Sequence, residues 1–131
     1  MVFSLLIAFM FCLPIGTILV EAADTIIVDD DGTGDYTSIQ DAIDNANVGD
    51  YIVVKTGTYG DQLTVNVNAL TISAASGESP TIYVSSYSPG IDVTASDVLF
   101  EDFEIYGNGS LTGGPYPTFR ASAGSDGLII S

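Results

Sequence analysis

Histidine and tryptophan are absent from this 131-residue chain, cysteine occurs once, and only Lys55 and Arg120 carry positive charge against 17 carboxylates. Each shortage removes a class of chemistry. Without histidine there is no Ser-His or Cys-His nucleophile pair and no imidazole metal site. Lone Cys12 can build neither a zinc cluster nor an internal disulfide. A formal charge of −15 repels phosphate backbones, so the sequence predicts no nucleic-acid partner. No catalytic residue set is visible.

The long apolar run is confined to the N-terminus. Val2 to Val20 is broken only by Ser4, Pro14, Gly16 and Thr17, and Val20-Glu21-Ala22 provides small or moderate side chains before a cut after Ala22. This predicts a secretory signal peptide over residues 1–22 and a secreted or cell-surface protein. No Lys or Arg precedes the run, and about 19 apolar residues could just span a bilayer, so an uncleaved membrane anchor is the competing reading. Pro14 and Gly16 favour cleavage. Residues 23–131 then form the mature chain, with a charge of −14 and no cysteine. Such a chain must be held by burial and backbone pairing, and its length suits one modest core.

What is abundant is β-branched. Val, Ile and Thr make up 31 of the 109 mature residues, against one Lys and three Glu, which predicts a mainly β fold. Between Thr37 and Asn47 the pattern changes. Ile39, Ala42, Ile43 and Ala46 fall on one face of a short amphipathic helix. Thr37 and Gln40 have capping-box spacing, Asp41 suits the helix dipole, and Gly49 is the expected stop.

Elsewhere apolar pairs two residues apart recur: Ile52/Val54, Leu63/Val65, Leu70/Ile72, Ile82/Val84, Ile91/Val93, Val98/Phe100 and Phe103/Ile105. Each places two side chains on one side of a short strand. The pairs at 63 and 70 repeat at 91 and 98, an offset of 28, and Ser96–Phe100 resembles Ser125–Ile129 at an offset of 29. A period of this size indicates a solenoid of stacked coils rather than a hairpin sandwich. Glu101-Asp102, between two inward pairs, marks a bend between strands of one coil. In the last repeat, Gly127/Ile129 and Leu128/Ile130 both stand as inward pairs.

The stretch Ile26-Ile27-Val28-Asp29-Asp30-Asp31-Gly32-Thr33-Gly34-Asp35-Tyr36-Thr37-Ser38-Ile39-Gln40-Asp41-Ala42-Ile43 resembles the opening of right-handed parallel β-helix proteins of the pectin lyase-like superfamily, pectinesterases among them. Val53-Val54-Lys55-Thr56-Gly57-Thr58-Tyr59 is similar to that family's V-x-x-G-x-Y first-coil motif. Leu70-Thr71-Ile72 and Asp97–Ile105 resemble its repeat rungs. The resemblance covers residues 25–107. It implies a right-handed parallel β-helix of two to three coils, with the helix capping the N-terminal end of the stack. It implies no active site, because the family's catalytic aspartates, arginine and glutamines find no matching motif.

Several clusters invite chemistry. Asp29, Asp31 and Asp35 suggest a Ca²⁺ loop, but Thr33 at its fifth position and Gln40 at its twelfth break the EF-hand pattern. A turn leading into the helix is favoured, and Ca²⁺ is the one cofactor candidate. Glu101, Asp102 and Glu104 are adjacent carboxylates expected at a solvated corner. Tyr106 to Asp126 reads as a Gly- and Pro-rich loop in which Tyr116, Phe119 and Arg120 are candidate glycan contacts. Asn108-Gly109-Ser110 is an N-glycosylation sequon.

These features predict a secreted, cell-surface or carbohydrate-associated β-helix module without complete catalytic machinery in these residues. Two alternatives stand beside it: the N-terminal part of a pectinesterase- or lyase-like enzyme with its active site past residue 131, or a structural surface-layer or adhesin element. Because Leu128–Ser131 reads as a strand entering another coil, the sequence also predicts either further chain or self-association at that end.

Overall fold

The computed structural model describes residues 22–60, 62–84, 90–107, 119–121 and 129–131. The apolar segment 2–20, and with it the signal-peptide reading, lies outside them. The described elements are β1 (Thr25–Val28), α1 (Ile39–Asn45), β2 (Tyr51–Val54), β3 (Thr58–Gly60), β4 (Leu63–Val65), β5 (Thr71–Ala74), β6 (Thr81–Val84), β7 (Ile91–Val93), β8 (Leu99–Glu101), β9 (Glu104–Gly107), β10 (Phe119–Ala121) and β11 (Ile129–Ile130). They form three sheets, ordered β1-β2-β5-β8-β11, β3-β6-β9 and β4-β7-β10. Every pairing is parallel. The chain thus visits the three sheets in turn and returns one strand further along each time, a parallel β-solenoid of about three turns.

Alternation sets which side chains face inward. Ile52, Val54, Leu63, Val65, Leu70, Ile72, Ile82, Val84, Ile91, Val93, Val98 and Phe100 are all buried, and Phe103 and Ile105 pack partly buried against them. The apolar pairs legible in the sequence are therefore the core. The 28-residue offset is borne out, since Leu63 faces Ile91 and Thr71 faces Leu99. The final offset is 30 rather than 29: Ile129 faces Leu99 and Ile130 faces the buried Phe100.

The bend at Glu101-Asp102 is also present. Asp102 adopts a left-handed φ of 62° between β8 and β9. A similar conformation marks the turn two residues before β2, β5 and β8, where Gly49, Ala69 and Asp97 have φ of 92°, 57° and 57°. These turns stack, with Gly49 N–H donating to Asn68 O and Ala69 N–H to Ser96 O.

Helix α1 buries Ile39, Ala42 and Ile43 and packs against β1, β2 and β4. Its N-cap is Ser38, whose hydroxyl accepts from Asp41 N–H, rather than the Thr37 expected from capping-box spacing. The helix stops at Asn45 with Ala46 extended, four residues before Gly49. Gln40 is freed for another role. Its side-chain amide mimics a peptide group: Oε1 accepts from Thr64 N–H at 2.8 Å and Nε2 donates to Thr64 O at 3.3 Å. Thr64 is the middle residue of β4, which ends its sheet. An unpaired sheet edge is a template for association, and Gln40 covers this one. We expect Gln40→Ala to lower unfolding free energy by about 1–2 kcal/mol in urea titration, with increased concentration-dependent association in sedimentation. A truncation inside the core, Ile72→Ala, should cost more, about 2–5 kcal/mol.

Candidate functional site

Among the described residues, a cluster of carboxylates lies in the turn after β1. The carboxylates of Asp29, Asp30 and Asp31 gather within 4.8 Å of one another. Asp35, expected to join them, turns away and accepts from Ile27 N–H at 2.8 Å. The three could offer oxygen ligands to a hard cation such as Ca²⁺. However, Lys55 Nζ already lies 2.9 Å from Asp29 Oδ2. The Thr33 hydroxyl donates to the same oxygen, and Asp31 N–H donates to Oδ1 at 3.1 Å. Asp30 Oδ2 accepts from Thr58 N–H at 3.0 Å. The cluster works as a set of acceptors for its own turn and for the edge of β3.

These bonds shift titration. The Thr33 hydroxyl, followed by Lys55, holds the Asp29 carboxyl below its ordinary value. The hydrogen bond to Asp29 raises the Lys55 ammonium. Tyr59, buried with its hydroxyl donating to Lys55 O at 2.9 Å, is raised mainly by burial.

Two glycines of the sequence motifs have steric reasons. A Cβ on Gly34 would sit 2.6 Å from Ile27 O, because the turn runs tight against the edge of β1. There Asp35 and Tyr36 N–H both donate to Ile27 O. On Gly57 a Cβ would meet the Asp30 carboxylate at 2.4 Å, so glycine lets that carboxylate reach Thr58. The spacing V-x-x-G-x-Y thus encodes an open path for Asp30 followed by the buried Tyr59.

Asp50 is a structural acid that sequence reasoning passed over. It is 2% exposed and stands one residue before β2, where Leu70 and Val98 precede β5 and β8. Its two oxygens accept from Asp24 N–H at 2.8 Å and Asn47 N–H at 2.7 Å. A carboxylate in an otherwise apolar inward column thereby ties the approach to β1 to the exit from α1.

Of the glycan-contact candidates, two lie within the described residues. Phe119 and Arg120 lie in β10, registered with Ile91 and Asp92, so residues 106–126 do not form one uninterrupted loop. Strand pairing outweighs the Gly and Pro content that suggested a loop. Tyr116 and the sequon Asn108 lie outside the described residues. At the corner, Glu101 is half-buried and Asp102 and Glu104 are exposed, as expected of a solvated bend.

The structure adds two side chains the sequence reading did not single out. Tyr83 and Tyr106 are 52% and 55% exposed and face each other in register across β6 and β9. Gly60 registers beside Tyr83 on β3 and lines a cleft of about 350 Å³ with Thr37, Ser38, Gln40, Thr58 and Gln62. The signal was present as a 23-residue offset, Gly60 to Tyr83 to Tyr106, which the inward 28-residue repeat overshadows.

Comparisons with protein-family models, curated proteins and solved structures give no match for this chain. Among the described residues no helix is long and apolar enough to cross a membrane.

The depressed Asp29 carboxyl contributes stability above its unfolded value, near 3.8, and loses it as pH falls through the lower folded value. The raised Lys55 contributes below about its ordinary 10.5 and loses it as pH rises through the higher folded value. Asp29→Asn should lower the melting temperature at neutral pH and flatten the acid limb of a melting-temperature profile between pH 2 and 5. Gly34→Ala, which meets backbone atoms, should cost about 1–3 kcal/mol in chemical denaturation. Gly57→Ala should cost less, because the Asp30 side chain can swing aside.

Proposed function

We propose that this chain is a secreted, cell-surface or carbohydrate-associated module built on a right-handed parallel β-helix of the pectin lyase-like kind, with α1 as the cap at the N-terminal end. Right-handed crossovers are the rule between parallel strands of one sheet, which supports the handedness. The cap reading draws on the apolar face of α1 and on the Gln40 bonds to Thr64. The superfamily reading draws on the opening motif and on the parallel three-sheet coil.

One observation favours binding over catalysis. Four carboxylates around the opening coil are engaged with structural donors: Asp29 with Lys55 and Thr33, Asp30 with Thr58, Asp35 with Ile27, and Asp50 with Asp24 and Asn47. A general acid or base must be free to exchange a proton with substrate. The outward positions of the sheets, by contrast, line up from coil to coil and suit an extended polymer.

Expression with the native leader should deliver a chain beginning at Ala23 to the medium, read by mass spectrometry. Recovery of an intact N-terminus in the membrane fraction would overturn the secreted reading in favour of the anchor. The mature chain should be depleted from solution by at least one insoluble polysaccharide, without releasing methanol or unsaturated sugars from esterified pectin. Product release would establish the enzyme alternative.

A further inference from the structure

We propose that the outward face of the β3-β6-β9 sheet binds an electroneutral glycan, with Tyr83 and Tyr106 as its stacking platform; this rests on the carbohydrate-associated reading above and gives it a place and a ligand class. The outward positions of this sheet fall in two columns. Thr58, Thr81 and Glu104 form one, and Gly60, Tyr83 and Tyr106 the other. Single exposed tyrosines are ordinary on protein surfaces. Two at the same outward position of adjacent strands, about 4.8 Å apart in the pairing direction, form a continuous aromatic strip.

Each ring has an apolar body and a polar tip, which matches the alternation of C–H faces and hydroxyls on a sugar. The Tyr106 hydroxyl donates to Glu104 Oε2 at 3.3 Å, which restrains the side chain from the side. A carboxylate has about four lone-pair sites, so Glu104 can also accept from a sugar hydroxyl. Beside Tyr83 the strip steps down to Gly60, where a Cβ would meet nothing within 4 Å. The adjoining cleft has an uncharged polar rim of Thr58, Gln62 and Gln40 over an apolar floor that includes Ile82 and Leu63.

Charge selects among occupants. The two columns carry Glu104 and no cation, and Lys55 is paired with Asp29. With 17 carboxylates against two cations, the chain repels polyuronates, and it repels a second copy of itself for the same reason. A neutral polymer pays no such repulsion. This face differs from the candidate glycan contacts Tyr116, Phe119 and Arg120 that the sequence suggested.

The test is affinity electrophoresis of the mature chain in gels containing hydroxyethylcellulose, galactomannan or polygalacturonate. We expect retardation in at least one neutral gel and none in polygalacturonate. The double variant Tyr83→Ala/Tyr106→Ala should weaken it by about tenfold or more. Tyr83→Thr and Tyr106→Thr, which keep strand propensity, should weaken it with unchanged circular dichroism. Because the chain has no tryptophan, titrating the wild type with a retarding neutral oligosaccharide should also change tyrosine emission.

Neutral-glycan retardation that survives loss of both tyrosines overturns this site and leaves the carbohydrate-associated reading standing. Absence of retardation in every gel, with no depletion by any polysaccharide, overturns both. Tyrosine-dependent retardation by polygalacturonate overturns the neutral ligand class. A concentration-dependent dimer in sedimentation, lost in the double variant without any glycan effect, assigns the face to a second copy instead.

Discussion

A parallel strand of two to four residues makes too few hydrogen bonds to persist by itself, so each strand here depends on the one beside it. That dependence cannot continue past the first strand of each sheet, and the opening segment resolves it. β1, β3 and β4 each end a sheet. Ile27 of β1 donates to Asp35 and accepts from the Asp35 and Tyr36 N–H groups. Thr58 of β3 donates to Asp30, and Thr64 of β4 pairs with Gln40. Three side chains within eleven residues, Asp30, Asp35 and Gln40, thus serve the outer edges of three different sheets. Sheet-edge peptide groups are left without a neighbouring strand, and this short segment supplies partners for them.

The same constraint gives part of the acidity a local role. In the structure many carboxylates accept from backbone N–H groups: Asp29 from Asp31, Asp30 from Thr58, Asp35 from Ile27, Asp50 from Asp24 and Asn47, and Glu78 from Thr56. Hydrogen bonds to ionised acceptors are among the stronger ones a protein makes, about 1.5–3 kcal/mol where the pair is shielded from water. A fold that turns its chain this often exposes many such donors. Aspartate, short and able to reach back to nearby backbone, suits them.

The fold was legible because burial writes a period of two into every strand and a longer period into the coil. Both rest on side chains such as Leu63, Ile91, Leu70 and Val98, whose apolarity the core demands. The reading slipped where packing is not the deciding force. The N-cap moved from Thr37 to Ser38, and Gln40, read as part of a capping box, turned out to serve β4; spacing cannot choose between two donors within reach of one side chain. The last offset is 30 rather than 29, in a stretch where the sequence after Arg120 carries no apolar period from which to read it. Phe119 and Arg120 joined β10 because pairing with β7 provides what local composition did not reveal.

Sites on a solenoid are harder to read than its core for a related reason. Inward positions are constrained by every neighbour, whereas outward positions answer only to water and to whatever binds there. Ile82-Tyr83-Val84 and Ile105-Tyr106 show this: the inward residues announced the strands, and the tyrosines between and beside them passed as ordinary β-formers. Only the register, Gly60 to Tyr83 to Tyr106, brings the outward residues into one column. That register is fixed by the inward residues, since a one-residue slip of β9 against β6 would bury Tyr106 and expose Ile105. The same packing that builds the core therefore also fixes which aromatic side chains the surface can offer together, and at what spacing.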